Sequence, residues 1–362
     1  MIKSKENTIV IKIGTTMITK DNGNINIDII KKIVQQVAKI IENKSRVLIV
    51  SSGAVGAGRA IVKLKNEKDE VVRRQAFSAV GQIELMRIYK ETFKQHNLNI
   101  AQVLCTREDF RTRNHYVNMK NCFSSLLDNN IIPIVNENDT IAVSELMFTD
   151  NDELAGLVAG IVNADILMIL SNVEGVMDLE SNRLIKVIEK NDKTWKHFVV
   201  PSKSTFGRGG MITKCSVAEK LADIGITTHI VDGEKENILV DVMCGKNVGT
   251  TFLAGKKISS VKKWLATSNG SSKGVIYINE CIEKKVCSEN KTCSLLPIGV
   301  VKIEGNFKKN DILTIKNENG EYLGVGKAEY GDDIAERYVG KKGKRAIVHY
   351  DYLYLSNNKT NI

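Results

Sequence analysis

The sequence predicts an α/β protein: a mostly parallel sheet sandwiched by helices, with a small, mostly β domain at the C-terminal end. Three observations lead there. Over the first two-thirds of the chain, short β-branched runs alternate with longer amphipathic segments; the alternation stops near Gly255; beyond it come short alternating runs punctuated by turn residues. Continuous apolar strands separated by helices imply a sheet covered on both faces. Right-handed crossovers then collect the loops that follow the strands at one edge, where ligands bind.

Taken in order, Thr8–Ile13, Arg46–Val50, Ile100–Cys105, Ile131–Val135, Ile166–Leu170 and Thr227–Val231 read as buried strands, being apolar and too short for helices. Between them, Ile27–Glu42, Val71–His96, Asn114–Asp128, Asp152–Val162 and Met211–Ile224 carry apolar residues at helical spacing. Lys256–Ser268 is a last helical piece, and Asn269-Gly270-Ser271-Ser272 is a hinge. Val275–Asn279, Val300–Ile303, Ile312–Lys316 and Ala346–Tyr352 follow as strands, separated by turns such as Glu304-Gly305-Asn306 and 317–320. The domains predicted are therefore residues 1–268 and 269–362.

Length and composition agree. A chain of 362 residues exceeds one ordinary core, and 27 glycines against 3 prolines favour glycine-dependent turns over disorder. The net charge of +10 is spread out, with 15 Lys+Arg against 12 Asp+Glu from Gly270 onward, which argues against strong RNA binding there. An aromatic stacking stripe is also missing from the sequence pattern of that region. Seven cysteines without a C-x-x-C pair read as free thiols of a reducing cytoplasm rather than a disulfide framework or zinc site. The first residues lack the apolar core of a secretory signal, and no apolar run is long enough to span a membrane.

The chemistry concentrates where strands end. Lys12 closes the first strand just before Gly14-Thr15-Thr16; a lysine in a buried strand needs an anionic partner, and a phosphate is one candidate. The second strand runs into Ser51-Ser52-Gly53-Ala54 and three further glycine or alanine residues up to Gly58, small residues that let a carboxylate or phosphate approach backbone N–H groups. The glycine spacing fits neither the dinucleotide fingerprint nor the usual P-loop. The fourth strand ends in Asn136-Glu137-Asn138-Asp139, where Asp139 could accept from an ammonium group. Thr149-Asp150-Asn151-Asp152 opens a helix; capping explains one or two of these polar residues but not three in a row. The fifth strand ends at Ser171-Asn172, and 206–211 is a glycine-rich loop before a helix that contains Lys214, an arrangement suited to phosphates.

In this order the segments resemble the amino acid kinase family, and within it the kinases that phosphorylate the side-chain carboxylate of glutamate. Val10-Ile11-Lys12-Ile13-Gly14-Thr15, Ser51–Ala54, Asn136–Asp139, Asp150-Asn151-Asp152 and Gly209-Gly210-Met211-Ile212-Thr213-Lys214 carry the likeness. Ser294–Gly299 with Gly305-Asn306-Phe307 resembles the start of a PUA domain. The resemblance implies a phosphotransferase with a carboxyl group as acceptor, using ATP with Mg²⁺ held mainly by the nucleotide phosphates. It also implies that this reaction opens proline biosynthesis, in the cytoplasm. It implies Lys12 and Lys214 on the migrating phosphoryl group and Asp152 orienting them. Ser52, Asp139 and Asn151 would hold L-glutamate. Lys12, Ser171, Asn172, Arg208, Gly209, Gly210, Met211, Ile212, Thr213 and Lys214 would hold ATP. Where this chain has Ser171-Asn172 relatives commonly have Thr-Asp, which removes a carboxylate beside the nucleotide. Homo-oligomers, feedback inhibition by proline and RNA contact through the PUA-like domain also come with the likeness. The competing readings are an aspartate, N-acetylglutamate, carbamate or UMP kinase on the same fold, and a protein that chiefly binds RNA.

Overall fold

The computed structural model describes residues 6–20, 23–64, 69–110, 113–141, 150–178, 181–199, 210–256, 258–267, 272–286 and 293–355. The chain forms two compact units, Met1–Lys257 and Ile258–Ile362. The first contains β1 (Thr8–Ile13), α1 (Thr15–Ile18), α2 (Ile27–Glu42), β2 (Arg46–Ser51), α3 (Ala54–Ile61), α4 (Glu70–Lys94), β3 (Asn99–Cys105), α5 (Arg113–Asp128) and β4 (Ile131–Glu137). It continues through α6 (Asn151–Ile161), β5 (Ile166–Ser171), β6 (Met177–Asp178), β7 (Arg183–Leu184), β8 (Val187–Ile188), α7 (Trp195–Phe198), α8 (Met211–Asp223), β9 (Thr227–Asp232), α9 (Ile238–Met243) and β10 (Thr250–Phe252).

Eight of these strands form one sheet in the order β3-β4-β2-β1-β5-β9-β10-β8. The first six are parallel; β10 pairs antiparallel with β9, and β8 runs parallel with β10. All six strands expected in this part of the chain are present within two residues of their anticipated ends. Central β1 is buried at every position. Alternate side chains leave a strand on opposite faces, so Ile9, Ile11 and Ile13 join α2, α4 and α9 in one hydrophobic layer. Lys12 accordingly points to the other face, where α6 packs against β1, β2, β4 and β5.

Helices α3 and α4 meet backbone to backbone. A Cβ on Gly81 would sit 1.9 Å from the Ala54 carbonyl oxygen, and one on Gly58 would sit 1.9 Å from that of Phe77. Side-chain rotation cannot relieve a clash with main chain. Gly81→Ala is therefore expected to cost at least ~3 kcal/mol, the upper end of ordinary overpacking, in denaturant unfolding. A loss below ~1 kcal/mol, the centre of the range for point mutants, would mean that α3 lifts away freely.

The second unit holds α10 (Ser260–Thr267), β11 (Gly274–Ile278), α11 (Glu280–Val286), β12 (Val300–Glu304), β13 (Ile312–Asn317), β14 (Tyr322–Ala328), α12 (Asp332–Tyr338) and β15 (Val348–Leu355). Its five strands form a sheet in the order β12-β11-β13-β14-β15. Helix α10 packs on β14 and β15. The helix belongs with this unit, and the division falls after Lys257 rather than after residue 268; the sequence offered no signal for which core its apolar face would join. Residues 268–271, most of the expected hinge, lie outside the described residues. Edge strand β15 brings the His349 and Tyr350 rings to 4.3 Å, and Lys327 stands 3.6 Å over Tyr352. The sequence pattern gave no sign of these ring contacts. Cys105, Cys122, Cys215, Cys244, Cys281 and Cys293 are free thiols, and Cys287 lies outside the described residues. Among the described residues no helix is long and apolar enough to cross a membrane.

Candidate active site

Three loops at the C-terminal edge of the parallel strands converge with the first turns of α6 and α8. Asp150 caps α6 by accepting from the Asp152 N–H at 3.2 Å. That places Asn151 and Asp152 in the first turn, where the helix dipole favours an anion. Gly156, one turn on, lets α8 come close: a Cβ there would meet Val217 at 2.8 Å. The crossing sets Lys214, one turn before Val217, beside Asp152.

The result is a buried charge cluster. The Lys12 ammonium lies 2.6 Å from Asp152 Oδ1 and 3.6 Å from Asp150 Oδ1, while Lys214 donates to Asp152 Oδ2 at 2.8 Å. Asp152 is wholly buried, and Lys12 and Lys214 are 3% and 8% exposed. Burial alone would pull the Lys12 ammonium down, but Asp152 and Asp150 outweigh it and the pKa ends above its ordinary 10.5. Burial alone would push Asp152 up, yet the two lysines hold it well below the usual carboxylate range. At Asp150 burial prevails over Lys12, and the carboxyl rises to about 6. One carboxylate thus fixes two ammonium groups, each on its own oxygen.

Beside this cluster runs a chain of amides. Asn151 Nδ2 donates to Ser52 Oγ at 2.7 Å, and to Ser51 O and Asn136 Oδ1 at 3.2 Å each. Asn136 Nδ2 donates in turn to Gln82 Oε1 at 3.0 Å. Because Ser52 Oγ accepts from Asn151, its own proton is left to donate elsewhere, as a carboxylate ligand would require. Asp139, 5% exposed, accepts on Oδ1 from Arg74 Nε at 3.1 Å and Nη2 at 2.7 Å, and on Oδ2 from Ser78 at 3.3 Å. Arg74, Ser78 and Gln82 stand four residues apart on one stripe of α4. None of the three was anticipated from sequence.

Of the anticipated nucleotide residues, Ser171 closes β5 next to β1, and Asn172 follows it exposed to solvent. Their side chains make no hydrogen bond with the described residues. Gly210, Met211, Ile212 and Thr213 lead α8 up to Lys214, and among the described residues no side chain caps that helix. Its first N–H groups are left to a ligand, as a phosphate site needs. A Cβ on Gly14 would lie 3.7 Å from Lys12 Nζ, so the glycine keeps the approach to that ammonium open. These features fit a triphosphate. Arg208 and Gly209 lie outside the described residues.

Residues 7–232 match the amino acid kinase family model, and residues 274–350 match the PUA domain model. The chain belongs to the amino acid kinase family. It is 44% identical to a protein of Chlorobaculum tepidum named glutamate 5-kinase, across 96% of this chain and 97% of that one. A glutamate 5-kinase of Bacteroides thetaiotaomicron is likewise 44% identical, across 98% of this chain and 100% of its own. A crystal structure of Giardia lamblia carbamate kinase superposes with a TM-score of 0.52 over 70% of this family member and 100% of that chain. At 18% identity this last likeness speaks for the fold alone.

Proposed function

We propose that the chain transfers the terminal phosphoryl group of ATP to the side-chain carboxylate of L-glutamate, giving glutamyl 5-phosphate, the first step of proline biosynthesis. The observation that carries the mechanism is the sharing of Asp152 by Lys12 and Lys214 beside the Ser52–Asn151 pair. The full-length likeness to glutamate 5-kinases supplies the substrate.

Two anions must meet in line, and charge spreads over the phosphoryl oxygens as it moves. Lys12 and Lys214 offset that charge with groups whose positions Asp152 has already fixed, so little reorganisation is needed at the moment of reaction. Ser52 and Asn151 hold the attacking carboxylate, which is ionised at neutral pH and needs no general base. Asp139 takes the α-ammonium group. The first turn of α8, with Ser171 and Asn172, holds the nucleotide, and Mg²⁺ rides on its phosphates. All of these residues belong to the first unit. The family resemblance carries three further proposals: assembly into homo-oligomers, feedback inhibition by proline, and RNA contact through the PUA domain. The free cysteines support a cytoplasmic setting.

Purified protein with Mg-ATP is expected to release ADP in response to L-glutamate, with hydroxylamine trapping the acyl phosphate. N-acetylglutamate should be inert, because acetylation removes the charge that Asp139 meets. Equal or faster turnover of N-acetylglutamate, L-aspartate, carbamate or UMP would replace the assignment with another member of the family.

A further inference from the structure

We infer that Arg74 binds the α-carboxylate of the amino acid substrate, so that Arg74 and Asp139 together read the zwitterionic end of glutamate. The inference rests on the glutamate reading above and deepens it.

An α-amino acid presents opposite charges on two bonds of a single carbon. A site that recognises both therefore needs an anion and a cation side by side. Asp139 and Arg74 are such a pair, with Nη2 2.7 Å from Oδ1. Both guanidinium contacts fall on the same oxygen, Oδ1, through Nε and Nη2. Arg74 Nη1 makes no hydrogen bond among the described residues, although a guanidinium carries five N–H donors. The arginine side chain is 24% exposed, whereas Asp139 lies beneath it. A ligand arriving from solvent thus reaches the guanidinium while the carboxylate is still covered.

Charge points the same way. Arg74 Nη2 also lies 3.7 Å from Glu137 Oε2, so one cation faces two carboxylates and the ammonium of a substrate is welcome there. The substrate's α-carboxylate is not. It needs a cation of its own, and Lys12 and Lys214 are committed to Asp152 at the phosphoryl end. Arg74 is the cation in contact with Asp139, and its planar fork suits a carboxylate. Ser78 keeps Asp139 in place through Oδ2 when the guanidinium turns toward its ligand.

The test compares glutamate with glutamate α-amide (isoglutamine), which keeps the ammonium and the side-chain carboxylate but loses the α-charge. Wild-type protein should prefer glutamate at least ~10-fold in kcat/KM, the scale of one charge-assisted hydrogen bond. In Arg74→Met the glutamate value should fall by a similar factor, mainly through KM. The α-amide value should change far less, so that the preference collapses. Arg74→Met also uncovers Asp139, but both substrates carry the ammonium and that effect cancels in the ratio. Arg74→Lys keeps a point charge and loses the fork, so an intermediate preference is expected; this variant serves if the methionine variant does not fold. An unchanged preference in either variant, whatever its melting temperature, would make Arg74 a prop for Asp139 and overturn the inference. A wild-type protein inert toward glutamate would sink the parent reading and this inference with it, and is read in the same assay.

Discussion

Asp152→Asn is expected to abolish most turnover, lowering kcat by roughly 10³-fold or more, the upper end for loss of one preorganised electrostatic group. The substitution keeps the shape and removes the anion that both lysines share. Among the described residues Lys12 would retain only Asp150, at 3.6 Å. Lys214 would lose its hydrogen-bonded carboxylate while remaining buried. Breaking a buried ion pair from one side costs on the order of 3–5 kcal/mol, so unfolding should show a loss of that order in the absence of ligands.

The sign of the pH effect follows from the same contacts. In the wild type, burial lowers the Lys12 pKa but the two aspartates raise it further, leaving it above 10.5. The group therefore stabilises the fold fully below its unfolded pKa, and that contribution is lost only as pH rises through the raised value. Without Asp152, burial wins and an ammonium is lost at lower pH. Residual activity of Asp152→Asn should then decline as pH rises from 7 to 10, a range in which Lys12 of the wild type keeps its charge. A variant with kcat within tenfold of wild type and the same pH profile would show that Asp152 does not organise the site.

How much of this was legible in the sequence depends on the kind of signal. The central parallel strands β1, β2, β4 and β5 could be read because each is buried on both faces, and burial on both faces writes itself as an unbroken apolar run; Ile100–Cys105, read as buried too, lies at the sheet edge in β3 and is largely open to solvent. β14 could not be read: Gly324 and Gly326 interrupt Tyr322–Ala328 and read as turn formers. Helix α3 was hidden for the same reason, since Gly56 and Gly58 weaken helix propensity and only the packing on α4 rescues it. Lys12, Asp152 and Lys214 stood out as charges at element ends, but the Asp152–Lys214 pairing joins residues 62 apart and is a product of the α6–α8 crossing. Arg74, Ser78 and Gln82 look like a solvated helix face. The available clue was that Ser78 and Gln82 continue the spacing of the buried Leu85 and Tyr89; polar residues on an apolar stripe must be answered by polar partners.

Lys214→Ala is expected to lower kcat by at least ~100-fold, the scale for removing one donor from a preorganised site. The glutamate KM should move much less, because in the proposed mechanism Lys214 meets charge that develops on the phosphoryl group rather than charge already present in glutamate. Lys214 is also buried against Asp152, so its loss bears on stability as well. Asp152 keeps Lys12 at 2.6 Å, so the loss should be about 1–3 kcal/mol, the cost of stripping one partner from a buried charge that retains another. Lys12→Ala should resemble it kinetically. In the double variant the losses in kcat should be less than additive, since both ammonium groups act on one migrating charge and share one anchor. A lysine that merely neutralises Asp152 would behave otherwise: the melting temperature would fall, kcat would stay within ~3-fold, less than 1 kcal/mol of barrier, and the losses in stability alone would couple. That outcome would remove Lys214 from the chemistry and leave it as a counter-ion.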